Sequence, residues 1–119
     1  MHILIVDDEP ELCEKLCEEL RRLLGADVSI VFADCERTMR QRMGEQKADL
    51  ILMDGSLNEN DFGPTIVRHI RHEECRIPII MCSSSEDAND IGVVNGANAI
   101  CSKLHSKSAR AVLTQLGFL

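Results

Sequence analysis

Apolar residues follow two alternating rhythms along this chain. Short runs with apolar residues at consecutive positions, LIV within the β-branched run HILIV at residues 2–6, LILM at 50–53 and IIMC at 79–82, alternate with stretches in which they return every three or four positions. The first rhythm marks a strand buried on both faces, the second a helix with one apolar face. The first helix opens at Glu9 and Pro10 and carries Leu12, Cys13, Leu16, Cys17, Leu20, Leu23 and Leu24. Acids lead it, Arg21 and Arg22 close it, and Gly25 follows, an order that suits the helix dipole and then breaks the helix.

The alternation continues. Residues 28–32 read as a strand, and residues 34 to 46 as a weaker helix with Met39 and Met43 on its inner face. After the strand at 50–53, Phe62, Ile66, Val67 and Ile70 mark a helix entered through Gly63 and Pro64 and closed by Arg71 and His72. The strand at 79–82 precedes a short helix for which Ser84 and Asp87 offer a capping box, ending at Asn95 and Gly96. Residues 99–101 make a fifth strand. Ala109, Val112, Leu113 and Leu116 form the inner face of a last helix, capped by Ser106. Five strands alternating with five helices predict right-handed crossovers and a doubly wound α/β domain, its parallel sheet covered on both faces.

Composition narrows the picture. With 119 residues and 45% hydrophobic content, one domain over residues 1–119 is expected. The net charge of -7 repels a phosphate backbone, so direct nucleic-acid binding is excluded from the expectation. Six cysteines, with no signal peptide and several inside periodic apolar segments, read as reduced thiols of a cytoplasmic protein. Cys13 and Cys17 share a helical face but lack further ligands at zinc spacing, so packing is the better reading. No apolar run reaches the ~20 residues that a membrane span requires.

The chemistry gathers where the strands end. In doubly wound sheets, sites lie beyond the carboxyl ends of the strands. Asp7 and Asp8 follow the first strand, Asp54 the third, Ser83 the fourth and Lys103 the fifth. Two carboxylates ~4 Å apart repel by roughly 1 kcal/mol in bulk water and about 4 at an effective dielectric of 20, so three acids need a counter-charge. Hard oxygen donors favour Mg²⁺. Beside such an ion Asp54 can act as a nucleophile toward a phosphoryl group, with the Lys103 ammonium balancing charge on the transferring oxygens and Ser83 donating a hydrogen bond. Singly, each residue is ordinary: Asp8 could be a helix cap, Asp54 a loop acid, Lys103 a surface charge. Their convergence on one end of one sheet is what favours chemistry. His69 and His72 sit near a helix end, where a cation is favourable.

The motifs ILIVDDEP, DLILMD, PIIMCS and AICSK together resemble the receiver domain of bacterial two-component response regulators, over the whole chain. That resemblance implies a flavodoxin-like (βα)5 sandwich acting as a phosphorylation-dependent switch, a signalling module and not an enzyme. It implies Asp54 as phosphoacceptor, Asp7 and Asp8 as Mg²⁺ ligands, Ser56 as a carbonyl ligand, and Ser83 and Lys103 as readers of the phosphoryl group. The donor would be a sensor histidine kinase or a phosphotransfer protein. This chain departs from the family at three places. Ile100 stands where a switch aromatic is usual. Leu104 replaces a proline that is usually cis, and a cis bond there would cost about 2.5–4 kcal/mol, so a trans bond is expected. The loop GSLNENDFGP after Asp54 is one residue longer than usual.

Two other functions stay open at this point. A pseudo-receiver would bind partners without switching. A haloacid dehalogenase-like phosphatase would match DGSL, but its nucleophile position falls on Leu52. For a switching receiver, the face of the fourth helix, fifth strand and last helix is the expected output surface, with Asp87 and Asp90 opposite Lys107 and Arg110 offering a charge-paired homodimer. Ser56 and Ser85 would sit at the mouth of the site. The output partner is not readable from these residues.

Overall fold

The computed structural model of the protein describes residues 1–101 and 106–119, leaving aside the side chains of 106 and 107. Lys103, Leu104 and the side chains of Ser106, expected as a cap, and of Lys107, four of the expectations above, therefore lie outside the described residues. Within them the order is β1 (His2–Val6), α1 (Pro10–Leu24), β2 (Ser29–Ala33), α2 (Glu36–Glu45), β3 (Leu50–Met53), α3 (Gly63–His72), β4 (Ile79–Met81), α4 (Glu86–Val94), β5 (Ala99–Ile100) and α5 (Ser106–Gln115). Every strand pair is parallel, in the order β2-β1-β3-β4-β5. This is the doubly wound α/β domain that the alternating rhythms predict, in the flavodoxin-like (βα)5 form that the resemblance implies.

The consecutive apolar runs are explained by burial on two sides. Leu4, Val6, Ile51, Met53, Ile79 and Met81 face one layer, where Met39 of α2 and Ile66, Val67 and Ile70 of α3 pack against them. Their neighbours Ile3, Ile5, Leu50, Leu52, Ile80 and Cys82 face the other, against Cys13, Leu16 and Leu20 of α1 and Ala109 and Leu113 of α5. Fully burying each large aliphatic side chain contributes about 1.5–3 kcal/mol, so these two layers dominate the stability of the fold. Val112 and Leu116, placed with Ala109 and Leu113 by periodicity, are half-buried at the margin of the second layer.

Several helix starts differ from the predicted ones, each because a side chain has a better local bond to make. α2 begins at Glu36, with Cys35 at its N-cap. Asp34 stays outside the helix, where its carboxylate accepts the Thr38 hydroxyl at 2.9 Å. The first turn of α4 is capped by Ser85, whose Oγ accepts the Ala88 N–H at 3.2 Å, so the box predicted from Ser84 and Asp87 does not form. Asp8 does not cap α1; Glu9 occupies that position, and Asp7 Oδ1 accepts the Glu9 N–H at 2.9 Å. At the C-terminal end of α3, His69 Nδ1 lies 3.1 Å from the Glu36 carboxylate of α2.

β2 runs from Ser29 to Ala33, one residue later than predicted. β4 and β5 each stop one residue early, although Cys82 N–H still reaches the Met53 carbonyl and Cys101 N–H the Met81 carbonyl, both at 2.8 Å. All six cysteines are free thiols, five of them buried and Cys75 half-buried. No helix among the described residues is long and apolar enough to cross a membrane.

Candidate functional site

Register alone brings two of the acids together. Val6 of β1 is paired with Met53 of β3, so the next residues, Asp7 and Asp54, leave the sheet side by side. Asp54 N–H still donates to the Val6 carbonyl at 2.9 Å, and Asp7 N–H to the Ala33 carbonyl at 2.9 Å, fixing both backbones. Both side chains are buried. Asp8 is half-buried and Glu9 exposed, and each of Asp7, Asp8, Glu9 and Asp54 offers a carboxylate oxygen, all within 4.8 Å of one another. Glu9 is the member that sequence reasoning missed. As the first acid of a helix, it looked like an ordinary partner for the dipole.

A rigid frame holds Asp54 from behind. Gly55 N–H donates to its Oδ1 at 2.7 Å, fixing the carboxylate orientation. Gly63 N–H donates to the Gly55 carbonyl at 2.8 Å, bringing the start of α3 back onto the strand end. A Cβ on Gly63 would collide with the Asp54 carbonyl oxygen, which is why the helix begins with glycine.

Ser83 approaches from β4. It is buried, and its Oγ lies only 2.6 Å from where a Gly55 Cβ would stand, so the hydroxyl rests against the peptide that follows Asp54. Two links tie Ser83 to α4. Its Oγ accepts the Ser85 N–H at 3.1 Å, and its main chain bonds Asn89 at both ends, the Ser83 N–H to Oδ1 at 3.0 Å and Nδ2 to the Ser83 carbonyl at 2.9 Å. Asn89 was not singled out from sequence, because one polar residue on a weakly amphipathic helix leaves no periodic trace.

The long loop after Asp54 folds back as a small hairpin. Ser56 bridges Phe62 in antiparallel fashion, and Asn58–Asn60 make a 3-10 turn. Glu59 and Asn60 take φ of 62° and 58°, in the left-handed region, at about 1–2 kcal/mol for a non-glycine residue. Bonds to the β2–α2 connection hold this conformation. Asn58 Nδ2 donates to Asp34 Oδ2 at 3.0 Å, and Asp61 Oδ2 accepts the Glu36 N–H at 2.8 Å, capping α2 from outside. Hydrogen bonds from Asn58 and Thr38 hold the Asp34 carboxyl below its usual range. Cys35, Glu59 and Asp61 also come within 4.8 Å of one another, with Asp61 on the α2 amide and Glu59 on Arg37 at 3.2 Å. That second group is the seam between two loops.

A family model described as the response regulator receiver domain matches residues 3–110. The chain belongs to that family. Its receiver fold is similar to that of TorR, a response regulator of the TMAO respiratory system, with 25% identity, 97% of this chain and 94% of that one covered, and a TM-score of 0.81. The BeF3-activated N-terminal receiver domain of Klebsiella pneumoniae RstA superposes with a TM-score of 0.81 at 22% identity, over 99% and 98% of the two chains. The Mn²⁺-bound form of the response regulator Rcp1 does so with 0.72 at 17%, over 95% and 91%. No curated protein sequence matches. As a receiver domain this chain is a module of two-component signalling and not a conventional enzyme.

In this receiver domain the structure gathers Asp7, Asp8 and Asp54 and adds Glu9. Ser83 is set against Gly55. Ser56 is exposed at the foot of the hairpin and Ser85 is exposed at the start of α4. Lys103 lies outside the described residues. Leu52, the position that the phosphatase motif would need for its nucleophile, is buried in the second core layer, 2% exposed. The donor set is all hard carboxylate oxygen, which fits a divalent cation such as Mg²⁺ and does not suit a thiophilic metal.

Proposed function

We propose that this receiver domain accepts a phosphoryl group on Asp54 and uses it as a signal. The observation that carries the reading is a buried carboxylate at the end of a central strand, oriented by the Gly55 N–H and facing three further acids within 4.8 Å. Four carboxylates so close repel one another unless a cation sits among them. Asp7, Asp8 and Asp54 would hold Mg²⁺, with Glu9 at its exposed side and the Ser56 carbonyl as the fifth candidate ligand. The ion supplies positive charge that offsets the charge on the transferring phosphoryl oxygens. Likeness in fold to Mn²⁺-bound Rcp1 and to BeF3-activated RstA supports this assignment.

The donor is a phosphohistidine of a sensor histidine kinase or a phosphotransfer protein. An Asp54 carboxylate oxygen attacks phosphorus, the phosphorus–nitrogen bond breaks as the new phosphorus–oxygen bond forms, and the released imidazole nitrogen takes a proton from water. The product is an aspartyl phosphate. Ser83 donates its hydroxyl to a phosphoryl oxygen, and the Lys103 ammonium balances charge on another. The account assigns no nucleic-acid contact to this domain.

The test is incubation with acetyl phosphate, a small phosphodonor, followed by intact mass. We expect one phosphoryl adduct that requires Mg²⁺ and is absent from Asp54→Asn. Asp8→Asn should slow its formation at least tenfold by removing a ligand. A folded wild-type protein that takes no adduct from acetyl phosphate or from a phosphotransfer protein would leave a partner-binding pseudo-receiver in place of a switch.

A further inference from the structure

The link between Ser83 and α4 carries an inference beyond the phosphoryl chemistry, and it rests on the reading of Asp54 as acceptor. We propose that Asn89 is a positioning residue, a latch that makes α4 move with Ser83 when Ser83 turns to a phosphoryl group on Asp54.

β4 ends at Met81, and Cys82 N–H makes the last ladder bond, to the Met53 carbonyl. Ser83 follows just beyond the described strand, its main chain buried with a donor and an acceptor to satisfy. A buried peptide group must be bonded. Only a primary amide offers a donor and an acceptor on one side chain in the spacing of a peptide edge, and Asn89, 2% exposed, supplies both.

Among the described residues, α4 has few other ties at this end. Its buried residues are Ala88, Asn89 and Gly92, none of them a large apolar side chain. Its far end is tied elsewhere, where Asn95 Nδ2 donates to the Pro64 carbonyl of α3 at 2.9 Å. The near end therefore rests on Ser83 through Asn89, on the Ser85 cap, and on Ala88, whose Cβ lies 2.9 Å from where a Gly55 Cβ would stand.

The two ties differ in what phosphorylation does to them. The Ser83 hydroxyl now accepts the Ser85 N–H, and its turn toward a phosphoryl oxygen gives up that bond to the residue capping α4. The Asn89 bonds go to the main chain and survive the rotation. Ser83 then shifts toward Asp54 with Asn89 attached, and the first turn of α4 follows. Ile100, half-buried and packed against the core layer under β4, takes no part in these bonds.

The test uses the whole chain and two readouts. Acetyl phosphate with Mg²⁺ gives adduct formation by intact mass; beryllofluoride with Mg²⁺, as a lasting phosphoryl mimic, gives the change in deuterium uptake across residues 84–95. Wild type should take the adduct and change its uptake on adding the mimic. Asn89→Ala should form adduct within about threefold of the wild-type rate while losing most of the mimic-dependent change in 84–95. Asn89→Asp keeps the shape and the acceptor for the Ser83 N–H but loses the donor, and should retain part of that change, which covers the case of an alanine variant that does not fold. A wild-type-sized change in both variants, with adduct intact, would overturn the latch alone. No adduct and no mimic response in wild type would overturn the acceptor reading, and the latch with it.

Discussion

α3 and α4 lie on the same face of the sheet and flank the same acid, yet they are attached by opposite means. α3 buries Ile66, Val67 and Ile70, all at most 1% exposed, and its entry glycine is pressed on the Asp54 carbonyl. α4 buries Ala88, Asn89 and Gly92, and leaves Ile91 and Val94 to solvent at 43% and 84% exposure. The first helix is fixed by apolar area, which is non-directional and additive. The second is held by a few directional hydrogen bonds, each with a modest net contribution of about 0.5–1.5 kcal/mol. The molecule thus places a rigid support behind Asp54 and a weakly attached element beside Ser83, the proposed reader of the phosphoryl group. Segments that move in switching belong to the low-stability end of a structure.

The largest predicted effect breaks the rigid side. Gly63→Ala forces a Cβ into the Asp54 carbonyl oxygen, and the helix start must shift by more than side-chain relaxation allows. We expect a loss above about 3 kcal/mol in urea unfolding, at the upper end of overpacking costs, together with loss of phosphorylation. Next comes Ile70→Ala, which opens a cavity under α3 and should cost about 2–5 kcal/mol. The matching change in α4, Ala88→Gly, should cost only about 1 kcal/mol, the helix propensity of one residue. If the two variants proved equally destabilised, the contrast between the helices would fail.

Gly55→Ala falls between Ile70→Ala and Ala88→Gly in size and is sharper in meaning. The new methyl meets Ser83 Oγ at 2.6 Å and the Ala88 Cβ at 2.9 Å, so it pushes on the mobile side, which can yield. About 1–3 kcal/mol of destabilisation is expected, and faster exchange of the α4 amides with α3 unchanged. The smallest effect is at the loop seam. The Asp34 carboxyl titrates below its unfolded value of about 3.9. Its contribution is therefore present above that value and is lost as pH falls through the lower, folded one. Asp34→Asn should lower stability by about 1 kcal/mol at pH 7, and its difference from wild type should shrink below about pH 4.

What could be read from the sequence follows the same division. LILM and the ILIV of β1 were legible because burial on both faces of a central strand favours apolar residues, with the buried His2 as the polar exception, and the helical period of α1 and α3 was legible because large side chains mark it. The acids at the ends of β1 and β3 followed from the topology. β2 was less legible, since Ser29 and Phe32 of this edge strand are exposed and the apolar run blurs. The capping serine of α4 could not be singled out, because Ser83, Ser84 and Ser85 are chemically alike and only the backbone decides that Ser85 meets Ala88. Asn89 and Glu9 were hidden because their roles depend on how the backbone turns at the ends of β4 and β1 and not on any period.

The central claim is that Asp54 is the acceptor, and it is tested most directly by locating the bond. The protein phosphorylated with acetyl phosphate and Mg²⁺ would be reduced with borohydride, which converts an acyl phosphate to the alcohol, and the peptides sequenced by mass. The account predicts homoserine in place of aspartate at residue 54, and unmodified Asp7 and Asp8. Reduction at Asp7 or Asp8, or at none of these positions in a protein that carries the adduct, would contradict it.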